Sequence, residues 1–161
     1  MKACSFTGHR VISKEKEAAL ADLLDRAIDY AYREGCRTFY CGGALGFDTM
    51  SAKAIIKKRM SNPDMRLIIV IPCADQEARW SNSEKDMYNY VISSADEVIY
   101  TSLSYTADCM KRRNERLAEL CDILIAFCGN ERSGTAQTVR IAKSLGKTVY
   151  NLYPTLCTKK E

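Results

Sequence analysis

Histidine, tryptophan and proline are scarce in this 161-residue sequence, with one, one and three copies respectively. With His9 as the lone imidazole and no CxxC pair, the usual spacing of structural zinc ligands is missing, so no metal site and no cofactor are expected. Long apolar runs are missing as well. The longest uncharged one, LIIVIPCA, is far too short to span a bilayer, and the first ten residues, MKACSFTGHR, lack the apolar region of a signal peptide. No membrane association is expected. Neither charge sign is in excess: 24 basic and 20 acidic residues give +4. Bulk electrostatics therefore neither demand nor exclude a nucleic-acid partner, and any basic surface must be local.

Cysteine, by contrast, is plentiful. Eight thiols would suggest disulfides in a secreted chain, but without a signal peptide the expected compartment is reducing and cytoplasmic. Most of them fall in apolar runs such as FYC, IPC and IAFC, where a thiol behaves as a small hydrophobe. The length suits one domain with a proper core, expected over residues 1–155, followed by a frayed tail over 156–161.

Apolar β-rich runs alternate with segments of helical period, the pattern of βαβ units on a sheet buried on both faces. The strands read as ACSFT, TFYC, RLIIVIP, EVIYT, ILIAFC and TVYNLY. Ser13 is placed as the N-cap of a first helix whose stripe is Leu20, Leu23, Leu24, Ala27 and Ala31, with Gly35 as its stop. A second helix is expected from Phe47 to Met60, ahead of Pro63. A capping box at Ser83 and Asp86 predicts a third, carrying Met87, Tyr90, Val91 and Ser94 on one face. A fourth spans Ala107 to Leu120, and a fifth runs from Thr135 to Leu145 with Gly146 after it. The fold class is thus α/β: a mostly parallel sheet of about six strands with helices on both faces.

Ligand crevices of such sheets lie at the carboxyl ends of the strands. Three loops there carry chemistry: Thr7-Gly8-His9-Arg10, Gly42 to Asp48 (GGALGFD) and Gly129 to Thr135 (GNERSGT). Gly42, Gly43 and Gly46 let backbone amides approach an anion, at the positive end of the helix that follows. The same glycines would also serve a tight strand-to-helix turn. Two better-known fingerprints fail, because Ala44 stands where GxGxxG requires glycine and Thr135 stands where a P-loop requires lysine. Asp48 suits the first helical turn or the hydroxyls of a ribose. Arg10 can grip a phosphate and His9 can donate a hydrogen bond or shuttle a proton. Met110 to Arg116 (MKRRNER) packs four cations into seven residues, a solvated face or a reach toward the crevice. Trp80, in QEARWSN, is either a lid over the core or a plate for a base.

Together these pieces resemble the SLOG superfamily, most closely its YpsA-like branch. The resemblance rests on TGHR, GGALGFD, Pro72-Gln76-Trp80, Arg113-Asn114, DILIAF (Asp122 to Phe127), and Ser133-Gly134-Thr135 followed by AKSLGK (Ala142 to Lys147), in order along nearly the whole chain. It implies a Rossmann-like domain that binds a nucleotide or nucleotide-sugar, ADP-ribose-like signals among them, and it makes a homo-oligomer an expectation. On that reading the amides of Gly42, Gly43, Gly134 and Thr135 hold phosphates, Arg10 and Arg113 neutralise them, Asp48 holds a ribose and Trp80 stacks on a base. Thr7, Gly8, His9, Gly46, Asn114 and Ser133 complete the expected site. LOG-type members, which cleave N-glycosidic bonds, carry PGGxGTxxE, and aligned on Gly134 and Thr135 the position of that glutamate is Thr138. If this chain is an enzyme, Asp48 or Glu131 must replace it; the favoured expectation is sensing, sequestration or regulation by binding. The DprA branch, which binds single-stranded DNA, is a third possibility, for which Met110 to Arg116 is the sole basic cluster.

Overall fold

The computed structural model of the protein describes residues 2–157. Its six strands are β1 (Lys2–Gly8), β2 (Cys36–Cys41), β3 (Arg66–Ile71), β4 (Glu97–Tyr100), β5 (Ile123–Phe127) and β6 (Thr148–Asn151). They form one sheet in the order β4-β3-β2-β1-β5-β6, and every neighbouring pair is parallel. The central strands are buried on both faces: all five residues of β5 and five of six in β3 are buried.

The helices between them are α1 (Lys14–Arg33), α2 (Phe47–Arg59), α3 (Asn82–Ser94), α4 (Cys109–Leu120) and α5 (Gly134–Ser144), and a single turn, α6 (Tyr153–Leu156), ends the described chain. Right-handed crossovers put α1, α2 and α3 on one face and α4 with α5 on the other. The larger core, under α1 to α3, is built on Phe6, Phe39, Phe47 and Ile69, and a smaller one under α4 and α5 holds Leu124, Ala126 and Ala142. In α1 the apolar stripe docks as its spacing predicts, with Leu20, Leu24 and Ala31 buried and Leu23 and Ala27 half-buried. All eight cysteines are free thiols and six are buried.

Some local expectations are corrected, although Ser13 does stand at the N-cap of α1 as expected. The capping box of α3 is Ser81 with Glu84, not Ser83 with Asp86: Ser81 Oγ accepts from Glu84 N–H at 3.2 Å while Glu84 Oε1 accepts from Ser81 N–H at 2.9 Å. Ser13 occupies the N-cap of α1, yet its side chain makes no capping bond. Strand β6 ends at Asn151 rather than Tyr153, because Pro154, which has no N–H for a ladder, sits in the first turn of α6, where none is needed. Leu156 and Cys157, read from the sequence into the tail, pack against the larger core. The rest of that tail, 158–161, lies outside the described residues.

Two aspartates set the register at the sheet's amino edge. Asp96 Oδ2 accepts from Leu67 N–H and Asp122 Oδ2 accepts from Ala3 N–H, each at 2.8 Å, just before β4 and β5 begin. Asp96 also pairs with Arg59 at 2.6 Å, which ties the end of α2 to the edge strand.

Candidate binding crevice

The order in which strands are added reverses beside β1, with β2 on one side of it and β5 on the other, so the loops leaving β1 and β5 diverge and leave a crevice at their carboxyl ends. A cavity of about 280 Å³ lies there. Its wall brings together Thr7 and Gly8 at the end of β1, His9 and Arg10 after it, Asp48 at the start of α2, Arg113 and Asn114 on α4, and Ser133, Gly134 and Thr135 at the start of α5. These residues are separated by up to about 130 positions in sequence and meet because the topology folds their loops to one point.

The α5 terminus supplies donors. Ser133 caps the helix by accepting from Ala136 N–H at 3.1 Å, and Gln137 N–H goes to the Ser133 carbonyl. The amides of Gly134 and Thr135, the first two of the helix, have no partner among the described residues and sit at the positive end of the dipole. Thr138, at the position of the LOG glutamate, is fully buried and donates its hydroxyl to the Gly134 carbonyl at 3.1 Å, away from the cavity wall.

Opposite α5, a buried guanidinium and a buried carboxylate share the space over Gly42. A β-carbon there would lie 2.7 Å from both Arg113 Nη1 and Asp48 Oδ2, so glycine at this position makes room for side chains of the protein itself. Arg113 donates from Nη1 to the Gly42 carbonyl and from Nε to Asn114 Oδ1 at 3.0 Å, and Asn114 Nδ2 reaches the Gly134 carbonyl at 3.5 Å. Asp48 accepts from Ala44 N–H at 3.2 Å. Burial pushes the Asp48 carboxyl above its ordinary range, and Arg113 together with the Ala44 amide opposes that shift. Burial likewise lowers the Arg113 pKa, with Asp48 opposing it. Each charge is the other's main compensation.

His9 closes the crevice on the β5 side. Its Nε2 accepts from Gly129 N–H at 2.7 Å, and its ring stands edge-on to Phe127 and Tyr153. Burial lowers the imidazole pKa, so the ring is neutral at pH 7 with its proton on Nδ1. Arg10 is exposed at the mouth with Nη2 3.7 Å from Met110 Sδ.

Gly42, Gly43, Gly46, Trp80 and Glu131 stand outside this cavity, so the expected phosphate-holding amides of Gly42 and Gly43 do not line it. Gly46 serves the loops' close approach: Phe47 N–H bonds the His9 carbonyl at 3.1 Å, directly beside it. Gly43 accepts from Gln76 Nε2 at 3.3 Å through its carbonyl. Gly43 and Trp80 line an adjoining cavity instead, and Trp80 packs edge-on against Tyr88. Glu131 is exposed, and its carbonyl accepts from Arg140.

Sequence reasoning does not single out Met110 and Leu117 as crevice residues, although both line it. The signal was available: Met110, Arg113, Asn114 and Leu117 recur at i, i+3, i+4 and i+7, one face of α4. Among the described residues no group of three or more His, Cys, Asp and Glu side chains converges as metal ligands would, and no helix is long and apolar enough to cross a membrane.

Comparison with known proteins adds kinship. A model of the YspA SLOG family matches residues 9–154. A UPF0398 protein of Bacillus cereus (strain G9842) is 26% identical over 127 residues, which are 77% of this chain and 69% of that protein. The structure of DNA processing protein A (DprA) from Streptococcus pneumoniae is similar with a TM-score of 0.67 at 20% identity, covering 93% of this chain and 50% of its own. This chain therefore spans half the length of that protein. DprA from Helicobacter pylori, described for its single-stranded DNA binding mode, is similar with a TM-score of 0.63 at 17% identity, covering 92% of this chain and 64% of its own. At these identities the structural likeness establishes the fold.

Proposed function

This chain belongs to the YspA SLOG family, and from that premise and the chemistry of its crevice we propose that it binds a nucleotide or nucleotide-sugar, an ADP-ribose-like molecule being favoured. The observation that carries the reading is the meeting of two unpartnered amides, Gly134 and Thr135 at a helix start, with the Arg10 guanidinium across one polar cavity. A phosphate fits that set of donors. Arg113, on the wall itself, adds positive potential while its hydrogen bonds hold Gly42 and Asn114 in place. Asp48, partly committed to the Ala44 amide, takes a ribose hydroxyl with its remaining acceptor capacity.

The output of binding is sensing, sequestration or regulation, in a cytoplasmic and homo-oligomeric protein. What favours binding over turnover is the carboxylate inventory: among the described residues Asp48 is the one carboxylate on the crevice wall, and it is buried beside a cation. N-glycosidic hydrolysis is the second reading because that single carboxylate does line the cavity. Single-stranded nucleic acid is the third, favoured by the likeness to the DprA of H. pylori; here the cations of α4 are interleaved with Glu115 and Glu119, which weakens a phosphate track.

The test is a thermal-shift screen against AMP, NAD, ADP-ribose, cyclic ADP-ribose isomers and cyclic dinucleotides, with each hit then separated by chromatography. A ligand at a hundred times its dissociation constant stabilises by about 2.7 kcal/mol, readily seen as a shift in Tm. A hit recovered intact supports the reading. Free base plus ribose phosphate, lost in Asp48→Asn with binding retained, establishes the hydrolase instead.

A further inference from the structure

The paired helices α1 and α2 lack the polar outer surface that solvated helices carry. A groove of about 860 Å³ runs between them as far as Tyr90 on α3, and none of its lining residues belongs to the crevice. Along α2, Met50, Lys53, Ala54, Lys57 and Met60 fall on the groove side, clear of the buried Phe47, Ala52 and Ile55. Met60 is 83% exposed and Tyr90 48%. Across the groove, α1 presents the exposed Ala18 and Ala21, short enough for another helix to come close. Contiguous apolar surface rimmed by charge marks a protein–protein contact.

The two banks of the groove differ in sign. Glu17 and Asp25 stand on the α1 bank and Lys53 and Lys57 on the α2 bank, all four exposed. Among the described residues Glu17, Lys53 and Lys57 enter no ion pair and no side-chain hydrogen bond, and Asp25 is approached only by Lys58, at 3.8 Å, whose ammonium lies 2.8 Å from Asp29. One acidic bank, an apolar floor and one basic bank make a surface complementary to itself, as an isologous interface requires.

Deepening the homo-oligomer part of the reading above, on which it rests, we propose that this face is a two-fold interface with a second copy of the chain, in which α1 of each copy lies on α2 of the other. Both helices run back from the carboxyl edge of one parallel sheet and so share a direction. A two-fold axis along the groove then brings Asp25 of one copy to Lys57 of the other and Glu17 to Lys53, while Met60 and Tyr90 leave water.

The test is sedimentation equilibrium of the full chain and two charge-reversed variants, one carrying Lys53→Glu with Lys57→Glu and the other Glu17→Lys with Asp25→Lys. The parent should have the mass of two chains. Each variant alone places like charges on both banks and should dimerise at least about tenfold more weakly. Mixed one to one, the two variants have opposite charges at both contacts and should form a dimer again, which a folding defect would not produce. A parent with the mass of one chain overturns both the interface and the homo-oligomer reading. A parent oligomer that both variants retain, or variants that stay monomeric when mixed, overturns the interface and leaves the homo-oligomer reading standing. The nucleotide reading is unaffected in each case, because none of the four residues lines the crevice.

Discussion

At Gly46 the backbone has a φ of +73°, and a β-carbon would lie 2.3 Å from the Arg10 carbonyl oxygen and 2.6 Å from that of His9. Both facts oppose any side chain, and neither involves a ligand. Gly46→Ala should cost at least about 2 kcal/mol of stability, from left-handed strain plus forced separation of the loops after β1 and β2; thermal denaturation reads it directly. A second residue-scale prediction concerns pH. The folded state holds His9 neutral, with its pKa lowered from 6.5 by burial, so below about pH 6.5 the unfolded chain binds a proton that the folded chain resists. The His9 contribution is therefore present above that pH and is lost as pH falls through the folded value, along with the bond from Gly129 N–H. Tm should fall between pH 7 and 5, and His9→Gln, which has no proton to gain, should flatten that slope. An equal slope in both proteins contradicts the assignment.

At the scale of elements, α4 is the part of the site that the chain places least obviously and uses most. Its buried Arg113 links α4 to the loop after β2 through the Gly42 carbonyl, and its neighbour Asn114 links it to α5. Arg113→Met would leave the buried Asp48 without its main counter-charge, with the Ala44 amide and Arg10 still beside it, and the Gly42 carbonyl without its donor, a loss of about 3 kcal/mol. Adding Asp48→Asn should recover part of it, and the double-mutant cycle measures the coupling. Additive losses would show the two charges to be independent. The elements themselves were largely legible in the sequence, because parallel strands buried on both faces read as continuous apolar runs and α1 carries a clean helical stripe. The capping box was displaced by two residues because Ser81 and Ser83 both offer an acidic residue three positions on, and only the chain's path chooses between them. What stayed hidden were the long-range partners: that Gly42 makes room for Arg113, or that Asp96 and Asp122 hold strand amides, depends on which strands become neighbours.

Over the whole molecule, an all-parallel sheet whose order reverses beside β1 gathers one helix start, one exposed arginine and one buried charge pair at a single edge. The central claim is that this edge holds a phosphate on the Gly134 and Thr135 amides. Gly134 has ordinary negative φ and space for a side chain, with Asn114 Nδ2 3.4 Å from the position of a β-carbon. Gly134→Asp should therefore fold at least as well as the parent, since a carboxylate at a helix start is favourable, while placing a negative charge in the phosphate's seat. The decisive measurement is calorimetric titration of parent and Gly134→Asp with ADP-ribose. The account predicts binding by the parent and its loss in the variant at unchanged or higher Tm; equal affinity in the two proteins would place the phosphate elsewhere and contradict it.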